Sequence, residues 1–291
     1  MLRKRAANWN PPDPTCMFIV ACADGLPNIL HIVNEDGAAG AVRGHVSRVG
    51  GNKEAPLDAP IKVGDVFGVI TPSRGLLIVM IASDIPPLPI MDRSEEWEQA
   101  GLTAELAARF KTADVAVMIQ MQDSGASVVD TVTFATQLAD RVTVVARGCA
   151  DDFNAQRFFA EGSWRLERDE EGFAPAEHIS IHVLTAPPKG LWVHSHGLLK
   201  FGRPEFEMRG VPPELLRDAI NTTLDFASYV VEELPIAPGH TLGNPQTPLH
   251  ARLGRADTEH WEGAPVLELV DVDKSGHPVP IGVERGLRSM M

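Results

Sequence analysis

Short apolar runs along the chain alternate with stretches marked by glycine, proline and charge. Met17-Phe18-Ile19-Val20-Ala21-Cys22 is one such run; it ends at Asp24-Gly25 and reads as a buried strand. Across 26–48, Leu26, Ile29, Leu30 and Val33 recur at helical spacing, with an alanine-rich continuation to Val42 and Val46 broken by Gly37 and Gly40; the pattern predicts a helix. Gly50 to Pro60 has the composition of a loop. Asp65–Thr71 and Leu76–Ser83 are strand-like and joined by Pro72-Ser73-Arg74-Gly75, which predicts a hairpin. Pro86, Pro87 and Pro89 then stop the sheet. Ser94 can cap a helix carrying Trp97, Leu102, Leu106 and Phe110 on one face, and Val115–Ile119 is again a strand. The order β-α-β-β-α-β is that of the ferredoxin-like split pattern, in which two helices cover a four-stranded antiparallel sheet.

Further along, Ala126–Ala139 reads as a helix with Ser127 as its cap, Arg141–Ala146 as a strand, Asp152–Ala160 as a short helix and Trp164–Glu167 as a strand. The charged stretch Arg168 to Gly172 marks a boundary. In the second half, His178 to Val183 alternates strictly, with His178, Ser180 and His182 on one face. Leu191–His196 is a second strand after the turn Pro187 to Gly190, and Glu205–Met208 a third. Pro212-Pro213-Glu214 opens a long helix on which Leu216, Ile220, Leu224, Ala227, Val231 and Leu234 recur at helical spacing. Leu249–Leu253 and Val266–Val272 complete the strands. The expected fold is therefore α+β: a ferredoxin-like first half over 15–168, and a second half over 176–273 built on antiparallel strands and one long helix. A mobile N-terminus (1–14) and a C-terminal tail (274–291) flank them.

Composition narrows the function classes. The 291 residues are 44% hydrophobic and 22% charged, which suits a globular chain with a real core. The net charge is −13, divided as 13 basic against 17 acidic residues in 1–150 and 13 against 22 in 151–291. An acidic chain without a basic stripe is a poor partner for a phosphate backbone. The longest apolar runs are strand-sized, short of the roughly 20 residues of a membrane helix. Met1-Leu2-Arg3-Lys4-Arg5 is followed by Asn and Pro rather than an apolar signal core. The three cysteines, Cys16, Cys22 and Cys149, form no CxxC and read as small buried hydrophobes. These features lead us to expect a cytoplasmic protein that binds neither nucleic acid nor membrane.

Histidine usage is the strongest chemical signal: four of the ten histidines fall between 178 and 196. A two-residue offset on a strand brings side chains to one face. His178 with His182, His194 with His196, and Glu205 with Glu207 each have or nearly have that spacing, so pairing of the three strands would gather six metal-capable side chains. Imidazole and carboxylate suit a divalent ion such as zinc. The ordinary alternative is a strand with one polar face, which alternates whatever its function. No HExxH, Walker, GxGxxG or GxSxG pattern occurs, so no cofactor or catalytic residue is assigned.

Trp192-Val193-His194-Ser195-His196-Gly197-Leu198, then Phe201-Gly202-Arg203-Pro204-Glu205-Phe206-Glu207, resembles bacterial domain-of-unknown-function families. These carry a T-H-G-L-type turn, a G-x-P-E-L-E-type strand, a helix and a G-x-T-x-G turn. Ser195 and Phe206 depart from that pattern, and Gly239-His240-Thr241-Leu242-Gly243 matches its last element. The resemblance implies a compact α+β domain and, through members near polymorphic toxin systems, an immunity or interaction role. It carries no reaction. Trp192, Arg203 and His240 form the candidate binding surface. The leading expectation is thus a non-enzymatic module that binds a protein, a basic one by charge complementarity. A metal-binding or metal-dependent hydrolase site on the His/Glu strands is the second reading, and a small-ligand sensor the third.

Overall fold

The structure, a computed structural model, describes residues 11–34, 42–83, 101–160, 175–185, 190–232, 236–242, 249–254, 258–261, 264–272 and 278–279. The expectations for 1–10, Pro86–Pro89, Ser94–Trp97, Trp164–Glu167 and most of the C-terminal tail lie outside these residues. Contacts divide the chain into two compact units: one spans Pro14–Gly172, and the other is built on Phe173–Met291. Among the described residues no helix is long and apolar enough to cross a membrane.

The N-terminal unit runs β1 (Met17–Cys22), α1 (Ile29–Ile32), β2 (Val33–Asn34), β3 (Val42–Arg43), β4 (His45–Gly50), β5 (Val66–Ile70), β6 (Leu76–Ala82), α2 (Ala104–Thr112), β7 (Val115–Asp123), α3 (Val128–Val145), β8 (Cys149–Asp152) and β9 (Arg157–Ala160). Its main sheet has seven strands in the order β4-β5-β6-β7-β1-β8-β9, all antiparallel. Ile19 and Ala21 of β1 pack with Leu106 and Phe110 of α2. Phe18 and Val20 alternate to the other face and are fully buried. α3 packs against β1 and β7. The expected hairpin forms: β5 pairs β6, and Thr71 Oγ1 accepts from Gly75 N at 2.9 Å to close the turn.

Several expectations are corrected here. The sheet is larger than the four strands of the split pattern. The helix expected over 26–48 is one turn, capped by the Asn28 side chain, because the chain from Val42 onward is drawn into strand pairing that suits its β-branched valines. Arg141–Ala146 is not a strand: α3 runs on to Val145, since Val142 and Thr143 extend the buried stripe of Leu138 and Ala139. Tertiary packing there overrides the reluctance of β-branched residues to be helical. Asp152–Ala160 is a strand, turn and strand rather than a helix; Asp152 Oδ1 accepts from Ala155 N at 3.2 Å and folds the turn. Ser127 caps α3 as expected, accepting from Asp130 N at 3.2 Å.

The C-terminal unit runs α4 (Pro175–His178), β10 (Ser180–Thr185), β11 (Leu191–His196), a 3-10 turn (Leu198–Phe201), β12 (Glu205–Val211), a second 3-10 turn (Pro213–Leu215), α5 (Leu216–Glu232), β13 (Thr241–Leu242), β14 (Leu249–Leu253), α6 (Thr258–Trp261), β15 (Val266–Val272) and β16 (Pro278–Val279). The sheet order is β10-β11-β12-β15-β14-β13, with β16 paired to β15. All pairs are antiparallel except β12 with β15. α5 packs against β11 and β12. The α+β composition, the antiparallel strands and the long helix agree with the sequence. His178 does not: it ends α4 instead of opening β10.

Candidate metal centre

β11 places Trp192, His194 and His196 on one face by simple alternation, and β10 lies antiparallel beside it. The register sets His182 directly opposite His194 and Ser180 opposite His196. His182, His194 and His196 are 7%, 0% and 4% exposed. Each offers a ring nitrogen, and these atoms all lie within 4.8 Å of one another. The ring centroids stand 4.7 Å apart for His182–His196, 5.1 Å for His194–His196 and 5.7 Å for His182–His194.

α6 brings two further side chains. His260 lies 4.5 Å from His194 and 5.3 Å from His196 between ring centroids. Trp261 lies 5.2 Å from His196 and 6.1 Å from Trp192. Trp192, Trp261 and Val266 form an apolar cluster beside the histidines. Among the described residues, no side chain is hydrogen-bonded to either nitrogen of His194, and His196 Nε2 has no hydrogen-bond partner. Burial holds both imidazoles well below their ordinary pKa, and the neighbouring histidines push them the same way. They are neutral at physiological pH, the form that ligates metals.

The carboxylates go elsewhere. Glu205 Oε1 accepts from Gly197 N (2.8 Å) and Leu199 N (3.2 Å), and its Oε2 accepts from the Ser195 hydroxyl at 2.6 Å. Gly197 has φ +113°, which a side chain would resist, so a glycine is what lets this turn offer its amides. Burial nonetheless pushes the Glu205 carboxyl up to about 7, against the pull of those hydrogen bonds. Glu205 therefore fastens the turn after β11 rather than joining the histidines. Glu207 sits opposite His194 on β12, and its Oε2 accepts from Trp192 Nε1 at 2.9 Å and Arg209 Nε at 3.1 Å. Burial raises its pKa, and the Arg209 charge opposes the rise. The row continues: Glu207 faces Glu268 on β15, and Glu268 faces Arg252 on β14, which donates to it at 2.8 Å. Five ionisable residues thus cross five strands in register.

Of the residues singled out from sequence, the structure gathers His182, His194 and His196. His178 is apart, edge-on to Phe201 at 5.7 Å. Arg203 donates to the Val230 carbonyl at 2.6 Å and ties the loop before β12 to α5. His240 Nδ1 accepts from Ala237 N at 3.3 Å within its own turn. Trp192 is 7% exposed and lies against the histidine cluster rather than on a surface. His260 and Trp261 are the additions that sequence reasoning missed; the adjacent His-Trp pair in a polar loop was the available signal. A scan of protein-family models, a search of curated proteins and a search of solved structures each return no match for this chain.

Proposed function

We propose that the C-terminal unit holds a divalent transition-metal ion, zinc by preference, on His182, His194 and His196. The observation that carries this reading is the convergence of three buried imidazoles whose ligand atoms lie within 4.8 Å of one another. A tetrahedral ion with bonds of about 2.0–2.1 Å places its ligand nitrogens about 3.3 Å apart and the ring centroids about 5 Å apart. The centroid spacings of 4.7, 5.1 and 5.7 Å bracket that value, so small ring rotations bring the nitrogens in. An all-imidazole donor set suits zinc, copper or nickel and is a poor fit for magnesium or calcium.

The protein acts through this ion as a binding module rather than as a hydrolase. A catalytic ion needs a coordination position that substrate can reach. Here the three rings are at most 7% exposed, and His260 and Trp261 lie against them. Elemental analysis of the purified chain is the test. About one equivalent of zinc, lost in a His194→Ala, His196→Ala double variant, is expected; less than a tenth of an equivalent, after zinc is supplied, overturns the reading. Turnover of an activated ester or phosphodiester by the loaded protein, absent from the double variant, would transfer the function to a hydrolase.

A protein partner is compatible with a metal-holding module. The net charge of −13 favours a basic one, and the resemblance of Trp192 to Glu207 to bacterial families with members near polymorphic toxin systems supports a protein partner. Pull-down of the tagged chain from its native host, washed in rising salt, reads this: a stoichiometric basic protein released by salt is expected.

A further inference from the structure

We infer that Glu207 is the positioning residue of this centre: its free Oε1 is the acceptor that fixes the His194 ring, through the ring nitrogen not used by the metal. The inference rests on the metal reading above. The geometry supplies the pair. His194 and Glu207 are direct cross-strand neighbours on β11 and β12. The Glu207 side chain is fully buried, and its Oε2 is already occupied by Trp192 and Arg209. Its Oε1 is buried and has no hydrogen-bond partner among the described residues, and no side chain there is hydrogen-bonded to the His194 ring. A buried acceptor without a partner is costly as it stands, and it belongs to the residue paired directly across from a buried ring that can donate. Ligation resolves this: an imidazole bound through one nitrogen carries its proton on the other and needs an acceptor there.

Two neighbours hold the pair in place. The Trp192 ring lies against His194, with centroids 4.3 Å apart and planes 32° from parallel, while its Nε1 bonds Glu207. One indole therefore registers both partners. Behind the carboxylate is Gly254, where an added Cβ would come 2.8 Å from Glu207 Oε1 and 2.6 Å from Val266 Cγ1. A glycine at that position leaves the carboxylate the space it occupies.

The test uses the full chain, stripped with chelator and titrated with zinc against a competing chromophoric chelator. Relative to the wild-type protein, Glu207→Gln is expected to bind zinc about 10-fold more weakly and Glu207→Leu about 100-fold more weakly, with stoichiometry and far-UV circular dichroism unchanged. Gly254→Ala, which leaves every ligand and the carboxylate chemically intact, is expected to lose affinity in the same direction. In zinc-loaded wild-type protein labelled with ¹⁵N-histidine, one ring N–H, absent from His194→Ala, should be protected from solvent exchange; Glu207→Leu should expose it. Zinc affinities of both Glu207 variants within twofold of wild type, or no protected ring N–H in the wild-type protein, overturn the role of Glu207 and leave the metal site standing. A wild-type chain that takes up no zinc overturns both.

Discussion

In the N-terminal unit the buried Arg48 guanidinium meets Asp65 at 2.5 Å, and a chain of hydroxyls runs from Thr71 through Ser73 and Thr131 to the Ser124 carbonyl with a bond at every link. In the C-terminal unit, His194 and His196 are as deeply buried, yet they keep ring nitrogens without partners among the described residues. Both units are built on antiparallel sheet and both hide polar side chains inside. The first uses most of them to tie loops to the sheet, and its atoms without a partner among the described residues, Arg48 Nε and Asp140 Oδ1, lie on separate elements. The second gathers them at one spot and leaves their lone pairs unspent. Buried polar groups are bonded as a rule, and the proposed metal site accounts for a cluster of exceptions on neighbouring strands.

The largest test of this contrast removes polar groups from each unit and asks what is lost. His194→Ala with His196→Ala takes away two of three ligands and should weaken zinc binding by at least about 10⁴-fold, above 5 kcal/mol on the binding scale. Competitive chelator titration reads it; an affinity unchanged within tenfold would place the ion elsewhere. The matching change in the N-terminal unit is Asp65→Ala. It strands a guanidinium whose side chain is 3% exposed and should destabilise that unit by about 3–5 kcal/mol without touching zinc binding. Chemical denaturation followed by hydrogen exchange of β4 and β5 peptides measures it.

Much of this contrast was legible along the chain, for reasons that differ by residue. Leu191–His196, Leu249–Leu253 and Val266–Val272 have the bounds their patterns predict, because clean alternation or an uninterrupted apolar run admits few other solutions. The convergence of His182 with His194 and His196 follows from the same period, once β10 and β11 pair. The end of α3 does not follow from the sequence pattern because four of the six residues from Arg141 to Ala146 are β-branched, and local propensity cannot see the face they pack on. The role of Glu205 does not show in the strand pattern because its partners include backbone amides of a turn that exists only when Gly197 adopts positive φ. His260 comes from a one-turn helix more than sixty residues beyond β11, a long-range contact that no local period encodes.

Protonation offers a subtler test, because the two units respond to pH with opposite sign. Asp151 of β8 is buried beside Asp152, and burial, with the neighbouring charge, raises its pKa from 3.8 to about 8. The native state then holds a proton that the unfolded chain releases, so this contribution to stability is full below pH 4 and lost as pH rises to about 8, with a limiting slope of about 1.4 kcal/mol per pH unit. In the metal-free C-terminal unit, His194 and His196 stay neutral when folded and take up protons when unfolded below their ordinary 6.5. Their contribution is present above that pH and lost as pH falls beneath it. Glu205, raised from 4.5 to about 7, pulls the other way, and so does Glu207, which burial also raises. Hydrogen exchange between pH 5 and 8, corrected for intrinsic rates, should show β8 peptides losing protection as pH rises and, in a Glu207→Gln background that leaves one carboxyl against two histidines, β11 peptides gaining it. Asp151→Asn should flatten the first trend and leave the second. Parallel trends in both units would refute the assignment.

The smallest effect comes from a polar pair that neither unit buries. Arg109 and Glu105 meet at 2.9 Å one turn apart on α2, with side chains 33% and 74% exposed. In water the attraction is screened, and holding two long side chains in one geometry offsets most of what is left. Glu105→Ala should therefore shift stability by less than about 0.5 kcal/mol, against about 3–5 kcal/mol for Asp65→Ala, although both pairs join one arginine to one carboxylate. The comparison isolates burial as the variable. Measured in 1 M salt, the Glu105→Ala difference should shrink further while the Asp65→Ala difference persists, because ions screen exposed charges and do not reach buried ones. A Glu105→Ala loss above 1 kcal/mol would mean that surface charge contributes to this unit's stability on the scale of its interior, and the contrast between bonded and ligand-seeking polar groups would need redrawing.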